Sequence, residues 1–123
     1  MRAVMLAVSA PFHCALMQPA AEAMQAALGN VAMHAPVVPV MANVGAAPLV
    51  DADAIRASLV RQVTGTVRWR ECVLAMAAAG VTRFVELGSG KVLTGLGKRI
   101  APEAMGLSIQ SPEDVAAFIT AKN

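Results

Sequence analysis

The sequence predicts an α/β fold. Short apolar runs rich in Val, Leu and Met alternate with longer stretches whose apolar residues recur every three or four positions. Glycines and prolines stand at the joints between the two kinds of segment. Hydrophobic residues, mainly Ala and Val, make up 57% of the 123 residues. That composition suits helices packed on a buried sheet built from parallel βα units.

Val4 to Val8 is an apolar run ending at Ser9-Ala10-Pro11, and reads as a strand entering a loop. From Ala15 the pattern turns helical, with Leu16, Ala20, Met24, Ala27 and Leu28 on one side and Gly29-Asn30 as the stop. Pro19 requires the regular helix to start beside it or its first turn to be distorted. Val37 to Val44, bounded by Pro36 and Gly45, reads as a buried strand. Asp51 to Val63 is a helix capped by Asp51 or Asp53, with Ile55, Leu59 and Val63 on one face. Trp69 to Ala79 is another, turning Trp69, Val73 and Met76 inward and ending at Gly80.

Val81 to Leu87 reads as a third strand, followed by a Gly88-Ser89-Gly90 turn into a helix holding Val92, Leu93, Leu96 and Ile100. Met105 to Ile109 is a last short strand. Ser111-Pro112-Glu113-Asp114 then starts a helix that runs to about Lys122: a serine cap, proline at the first position, acids in the first turn. No internal repeat, low-complexity tract, linker or second domain stands out.

Bulk properties narrow the function classes. Mean hydropathy is +0.60, yet no uninterrupted apolar stretch approaches the roughly 20 residues of a membrane span. The longest, Val37 to Val50, is broken by Pro39, Asn43, Gly45 and Pro48. The excess apolarity also fits a surface meant to be covered by further chain. A net charge of +2 and few aromatic residues (Phe12, Phe84, Phe118 and Trp69) argue against nucleic-acid binding. Cys14 and Cys72 form no disulfide framework, and the N-terminus lacks a secretory layout, so a cytoplasmic setting is expected.

His13 carries the main chemical signal. It stands in a loop between a strand and a helix, at the rim where α/β folds build their sites. A neutral imidazole there can take a proton from a hydroxyl and return it to a leaving group; a surface or capping histidine is the plainer reading. His34, in a connector, reads as a surface residue. Two histidines without clustered Cys, Asp or Glu give no metal signature. Cys14 adjoins His13, but neighbouring side chains on a helix diverge, so packing competes with a nucleophilic role. Gly88-Ser89-Gly90-Lys91 fails the phosphate-loop, dinucleotide and nucleophile-elbow patterns, leaving a tight turn. Arg61, Arg68, Arg70, Lys91, Lys98 and Arg99 supply scattered positive charge, either a solvated face or one for acidic proteins and phosphate-bearing cofactors.

Ser9-Ala10-Pro11-Phe12-His13-Cys14-Ala15-Leu16-Met17-Gln18-Pro19-Ala20 resembles the histidine motif of malonyl-CoA:acyl carrier protein transacylases. The resemblance continues through Ala35 to Val40, Asn43-Val44, Ile55-Arg56, Leu59 to Val63, Val67-Arg68-Trp69 and Glu86 to Leu96, in the family's order and spacing. It covers essentially the whole chain.

The resemblance implies transfer of malonyl from coenzyme A to the phosphopantetheine thiol of acyl carrier protein, through a serine ester, in fatty acid biosynthesis. It implies no permanently bound cofactor; the coenzyme A thioester is a substrate. His13 falls on the family's general base, and Gln62 on the residue whose backbone carbonyl orients that base. Phe12 stands where a bulky ring would crowd an α-methyl branch and favour malonyl. The family's nucleophile serine lies upstream, and none of Ser9, Ser58, Ser89, Ser108 or Ser111 has its Gly-x-Ser-x-Gly context. The chain is thus expected to be the C-terminal portion of an α/β-hydrolase-like acyltransferase domain, residues 11–123. Residues 1–10 are expected to be the last strand of the ferredoxin-like small subdomain and its connector. The expected partners are malonyl-CoA, acyl carrier protein and the N-terminal part of the same enzyme, with neither nucleic acid nor membrane. Alone, the chain is expected to be inactive. The rival reading is a non-catalytic module that binds acyl carrier protein through Arg2, Lys98 and Arg99. A further one is a cysteine-dependent acyl enzyme using Cys14.

Overall fold

The computed structural model describes residues 10–121, which fall into two compact units divided after Cys72. The expected Val4–Val8 strand and Arg2 lie outside the described residues, as does Lys122.

In the first unit a 3₁₀ turn, Ala15–Met17, leads into α1, Gln18–Gly29. Pro19 lies in the first turn of α1, where its missing N–H has no intrahelical partner to lose. The regular helix therefore begins beside Pro19, the first of the two arrangements that residue allowed. A connector leads to β1, Val40–Ala42, which pairs antiparallel with β2, Ala47–Leu49. Next comes α2, Ala52–Thr64, whose N-cap Asp51 accepts a hydrogen bond from the Ala54 N–H at 2.8 Å. α3, Trp69–Ala78, begins in this unit and ends in the other.

The hairpin corrects the reading of Val37 to Val44 as one buried strand. Only three of those residues pair, Val37 and Val38 are exposed, and the partner strand was not foreseen. Pro48 disguised it, because proline lacks the N–H a central strand needs; here it occupies a short two-stranded ribbon. The turn is also atypical: Ala46, not Gly45, takes the positive φ of 49°.

α2 packs on both α1 and β1. Arg56 ties α2 to the end of α1 by donating from both terminal nitrogens to the Val31 carbonyl, at 3.2 and 3.1 Å. Arg68 secures the hairpin turn, its N–H donating to the Asn43 carbonyl at 2.9 Å. Ala21, Ser58 and Cys72 are buried in this unit.

In the second unit β3, Arg83–Leu87, pairs in parallel with β4, Met105–Ile109. The crossover is α4, Val92–Ile100, as the sequence pattern requires for a parallel pair. α5, Pro112–Thr120, packs on β4 and opens with a full capping box between Ser111 and Asp114. Gly88 and Gly90 have φ of 124° and 96°, so the turn between β3 and α4 needs glycine at both places. Val73 and Ala101 are buried here, whereas Leu87 is 76% exposed.

No described helix is long and apolar enough to cross a membrane.

Candidate active site

His13 has a φ of 57°, a left-handed backbone rare for a residue with a side chain. It follows the Ala10–Phe12 turn, closed by a 2.9 Å bond from the Phe12 N–H to the Ala10 carbonyl. That turn and the following 3₁₀ segment set the imidazole against the C-terminal turn of α2, and Nδ1 lies 2.9 Å from the Gln62 carbonyl oxygen.

The end of a helix explains why that carbonyl is available. The last four carbonyls of a helix lack intrahelical partners. The Arg61 carbonyl is taken by the Gly65 N–H at 3.0 Å. The Gln62 carbonyl takes the imidazole instead. A carbonyl oxygen can only accept, so Nδ1 must carry the proton in this bond, and in the neutral ring Nε2 then holds the lone pair. The negative end of the α2 dipole also faces the ring.

His13 and Gln62 line an open hollow of about 410 Å³ with Phe12, Met17, Asn43, Val63 and Val67. Phe12 is 56% exposed there. The structure thus brings together Phe12, His13 and Gln62. Sequence reasoning assigned no site role to Met17, Asn43, Val63 or Val67, although all four lie in the segments that carry the resemblance. Lys98 and Arg99 are exposed in the last turn of α4, in the second unit, where positive charge complements a helix C-terminus. Arg2 lies outside the described residues.

The Cys14 thiol donates to the Pro11 carbonyl at 3.1 Å, three residues back, and not to the neighbouring imidazole. Burial pushes the Cys72 thiol up and keeps it protonated. His34 is exposed in its connector. Among the described residues no group of three His, Cys, Asp or Glu is placed to hold a metal ion.

The Gly88–Lys91 turn cannot offer its helix N-terminus to a phosphate. The Glu86 carboxylate already accepts from the Leu93 N–H at 3.1 Å, the Thr94 N–H at 2.8 Å and the Thr94 hydroxyl at 2.7 Å. The Thr94 hydroxyl, then the backbone N–H groups, hold this carboxyl below its ordinary range.

No family model matches the chain. Individual proteins do. The chain is 46% identical over 118 residues to a malonyl CoA-acyl carrier protein transacylase of Escherichia coli K12, covering 96% of the chain and 38% of that protein. A solved acyl-carrier-protein-S-malonyltransferase from Bartonella henselae superposes with a TM-score of 0.88 at 51% identity, over 98% of this chain and 38% of that one. A malonyl-transacylase solved in complex with its type II polyketide acyl-carrier protein gives a TM-score of 0.84 at 39% identity, over 94% of this chain and 38% of that one. The chain therefore spans well under half the length of the relatives it matches. By sequence and by fold, it corresponds to the C-terminal part of the malonyl-CoA:acyl carrier protein transacylases.

Proposed function

We propose that this chain supplies the general base of a malonyl-CoA:acyl carrier protein transacylase. The observation that carries the reading is the 2.9 Å bond from His13 Nδ1 to the Gln62 carbonyl, in a chain 46% identical to such an enzyme. The chain carries no serine in a nucleophile-elbow context, so the hydroxyl comes from the N-terminal part of the same enzyme.

The chemistry follows from the tautomer. With its proton on Nδ1, the ring accepts at Nε2 the proton of the serine hydroxyl as oxygen attacks the malonyl thioester carbon. The carbon–sulfur bond breaks, and coenzyme A leaves as a thiol with the proton that Nε2 returns. In the second half, Nε2 takes the proton of the phosphopantetheine thiol. Sulfur displaces the serine oxygen, which leaves with that proton. The helix-end carbonyl of Gln62 orients the ring throughout, the task an aspartate performs in a Ser-His-Asp triad.

The coenzyme A thioester is a substrate and no permanently bound cofactor is required. Phe12, at the mouth of the hollow, disfavours an α-methyl branch on the acyl group. Acyl carrier protein is the acceptor; Arg2, Lys98 and Arg99 are the positive charges for its docking. Lys98 and Arg99 are exposed and form no ion pair among the described residues. The family resemblance assigns residues 1–10 to the small ferredoxin-like subdomain and residues 11–123 to the large acyltransferase domain. The exposed Val37, Val38, Leu87 and Val92 support cover by further chain. The unpaired Cys14 and Cys72 thiols fit a cytoplasmic enzyme.

Mass spectrometry after exposure to malonyl-CoA tests the reading. The intact enzyme should gain a malonyl adduct on an upstream serine, and residues 1–123 alone should gain none. An adduct on the isolated chain, or on Cys14 in the intact protein, overturns it.

A further inference from the structure

A second, smaller cavity of about 90 Å³ lies between α2 and the β1–β2 hairpin. Most of its wall is apolar, but three polar residues reach it: Ser58, Asn43 and Gln62. Asn43 and Gln62 also line the larger hollow with His13, so they form the partition between the two spaces. Ser58 is only 1% exposed, and its hydroxyl has no hydrogen-bond partner among the described residues. A helical serine commonly folds back on the carbonyl four residues earlier; this one does not.

A buried hydroxyl left unpaired is costly, and such groups are ordinarily satisfied by protein or by ordered water. A buried water needs roughly 10–15 Å³ of accessible volume and typically about three polar partners. The cavity exceeds that volume, and Ser58, Asn43 and Gln62 are three polar residues. We propose that it is an ordered-water site anchored by the Ser58 hydroxyl, and that this water positions Gln62 against His13. Ser58 lies one turn before Gln62 on α2, and the Asn43 carbonyl accepts from the Arg68 N–H. A water shared by the three residues links the last turn of α2 to the hairpin. It limits the rocking of the helix end that carries the imidazole-binding carbonyl. Ser58 is then a positioning residue, acting through Gln62 and His13 without touching substrate.

The consequence for acyl transfer rests on the proposed function; the water and the ring tautomer do not. A crystal structure of the intact protein at a resolution that shows ordered water should place one within hydrogen-bond distance of Ser58 Oγ and of the Asn43 or Gln62 side chain. Ser58→Ala should lose it, and Ser58→Thr, which keeps the hydroxyl, should retain it. In ¹⁵N spectra of the histidine rings, neutral His13 should be protonated at Nδ1. Ser58→Ala should increase the fraction protonated at Nε2, and Ser58→Thr should restore the original ratio. Acyl transfer by Ser58→Ala should slow about threefold to tenfold in kcat with KM unchanged. A dry cavity, a cavity filled by a side chain, or a water retained in Ser58→Ala overturns the site. Loss of the water with an unchanged tautomer overturns the positioning role. If the intact protein transfers no acyl group while the water and tautomer behave as stated, the catalytic reading fails and the site stands.

Discussion

His13 Nδ1 and the Gln62 main-chain oxygen lie 2.9 Å apart although 49 residues separate them in the chain. The contact uses a carbonyl that the end of α2 leaves without an intrahelical donor. One hydrogen bond thus fixes the ring's tautomer and satisfies a helix terminus. The consequences can be measured at each partner.

At the proposed base, His13→Ala in the intact enzyme should lower the rate of serine acylation by about 10²–10⁴. Single-turnover acylation with malonyl-CoA measures this directly. KM should change little, because the lost interaction is made in the transition state. Near-normal acylation would remove His13 from the mechanism.

Gln62 should behave differently, because its acceptor is main chain. Gln62→Ala keeps the carbonyl and the bond to Nδ1, so acylation should fall by less than about tenfold. The ¹⁵N signature of His13 should still report a proton mainly on Nδ1. A loss as large as that of His13→Ala would mean that the side chain, not the carbonyl, performs the essential task.

Gly65 ends α2 three residues beyond Gln62, and its backbone approaches Val44 closely. A Cβ there would stand 2.6 Å from Val44 Cγ2 and 2.9 Å from the Arg61 carbonyl oxygen. Gly65→Ala should therefore destabilise the protein by about 1–3 kcal/mol through overpacking. Adding Val44→Ala should recover part of that loss, since the two sites share the clash. Thermal melts of the two single variants and the double variant provide the comparison.

Glu86 gives a pH dependence. The Thr94 hydroxyl and the backbone N–H groups of α4 hold its carboxyl below the ordinary value. A lowered folded value means that the unfolded chain binds the proton more readily. The stabilisation is therefore complete above the unfolded value, about 4.3, and is lost as pH falls through the folded one. Asp114, lowered first by the Gln110 N–H and then by the Ser111 N–H, acts with the same sign, starting from its own unfolded value of about 3.9. Glu86→Gln should reduce, without abolishing, the loss of stability on acidification below about pH 4.3. Denaturant midpoints measured across that range should show it; an unchanged acid slope would contradict the assignment.

Much of the fold was legible because its causes are local. Asp51 and Ser111 cap the helices that follow them, Pro19 marks the start of α1, and Gly88 and Gly90 occupy the turn before α4. Each depends on residues within a few positions. The β1–β2 hairpin was not legible: its second strand contains Pro48, and its turn places an alanine at positive φ.

The residues of the site were legible only in part. His13 could be singled out from its place between a strand and a helix, but alone it remained one loop histidine. The resemblance, not the spacing, pointed to Gln62. Nothing local could show that Asn43 borders the hollow, or that the Ser58 hydroxyl is buried beside a cavity.

The sequence by itself determined where helices begin and end, which turns need glycine, and which residue could act as a base. Capping and backbone sterics act over one turn of chain, so residue order carries them. The tertiary structure alone decided which carbonyl meets the imidazole, and hence which ring nitrogen holds the proton. That bond depends on the end of α2 arriving beside the His13 loop, a meeting set by the packing of α1 on α2 and of α2 on β1.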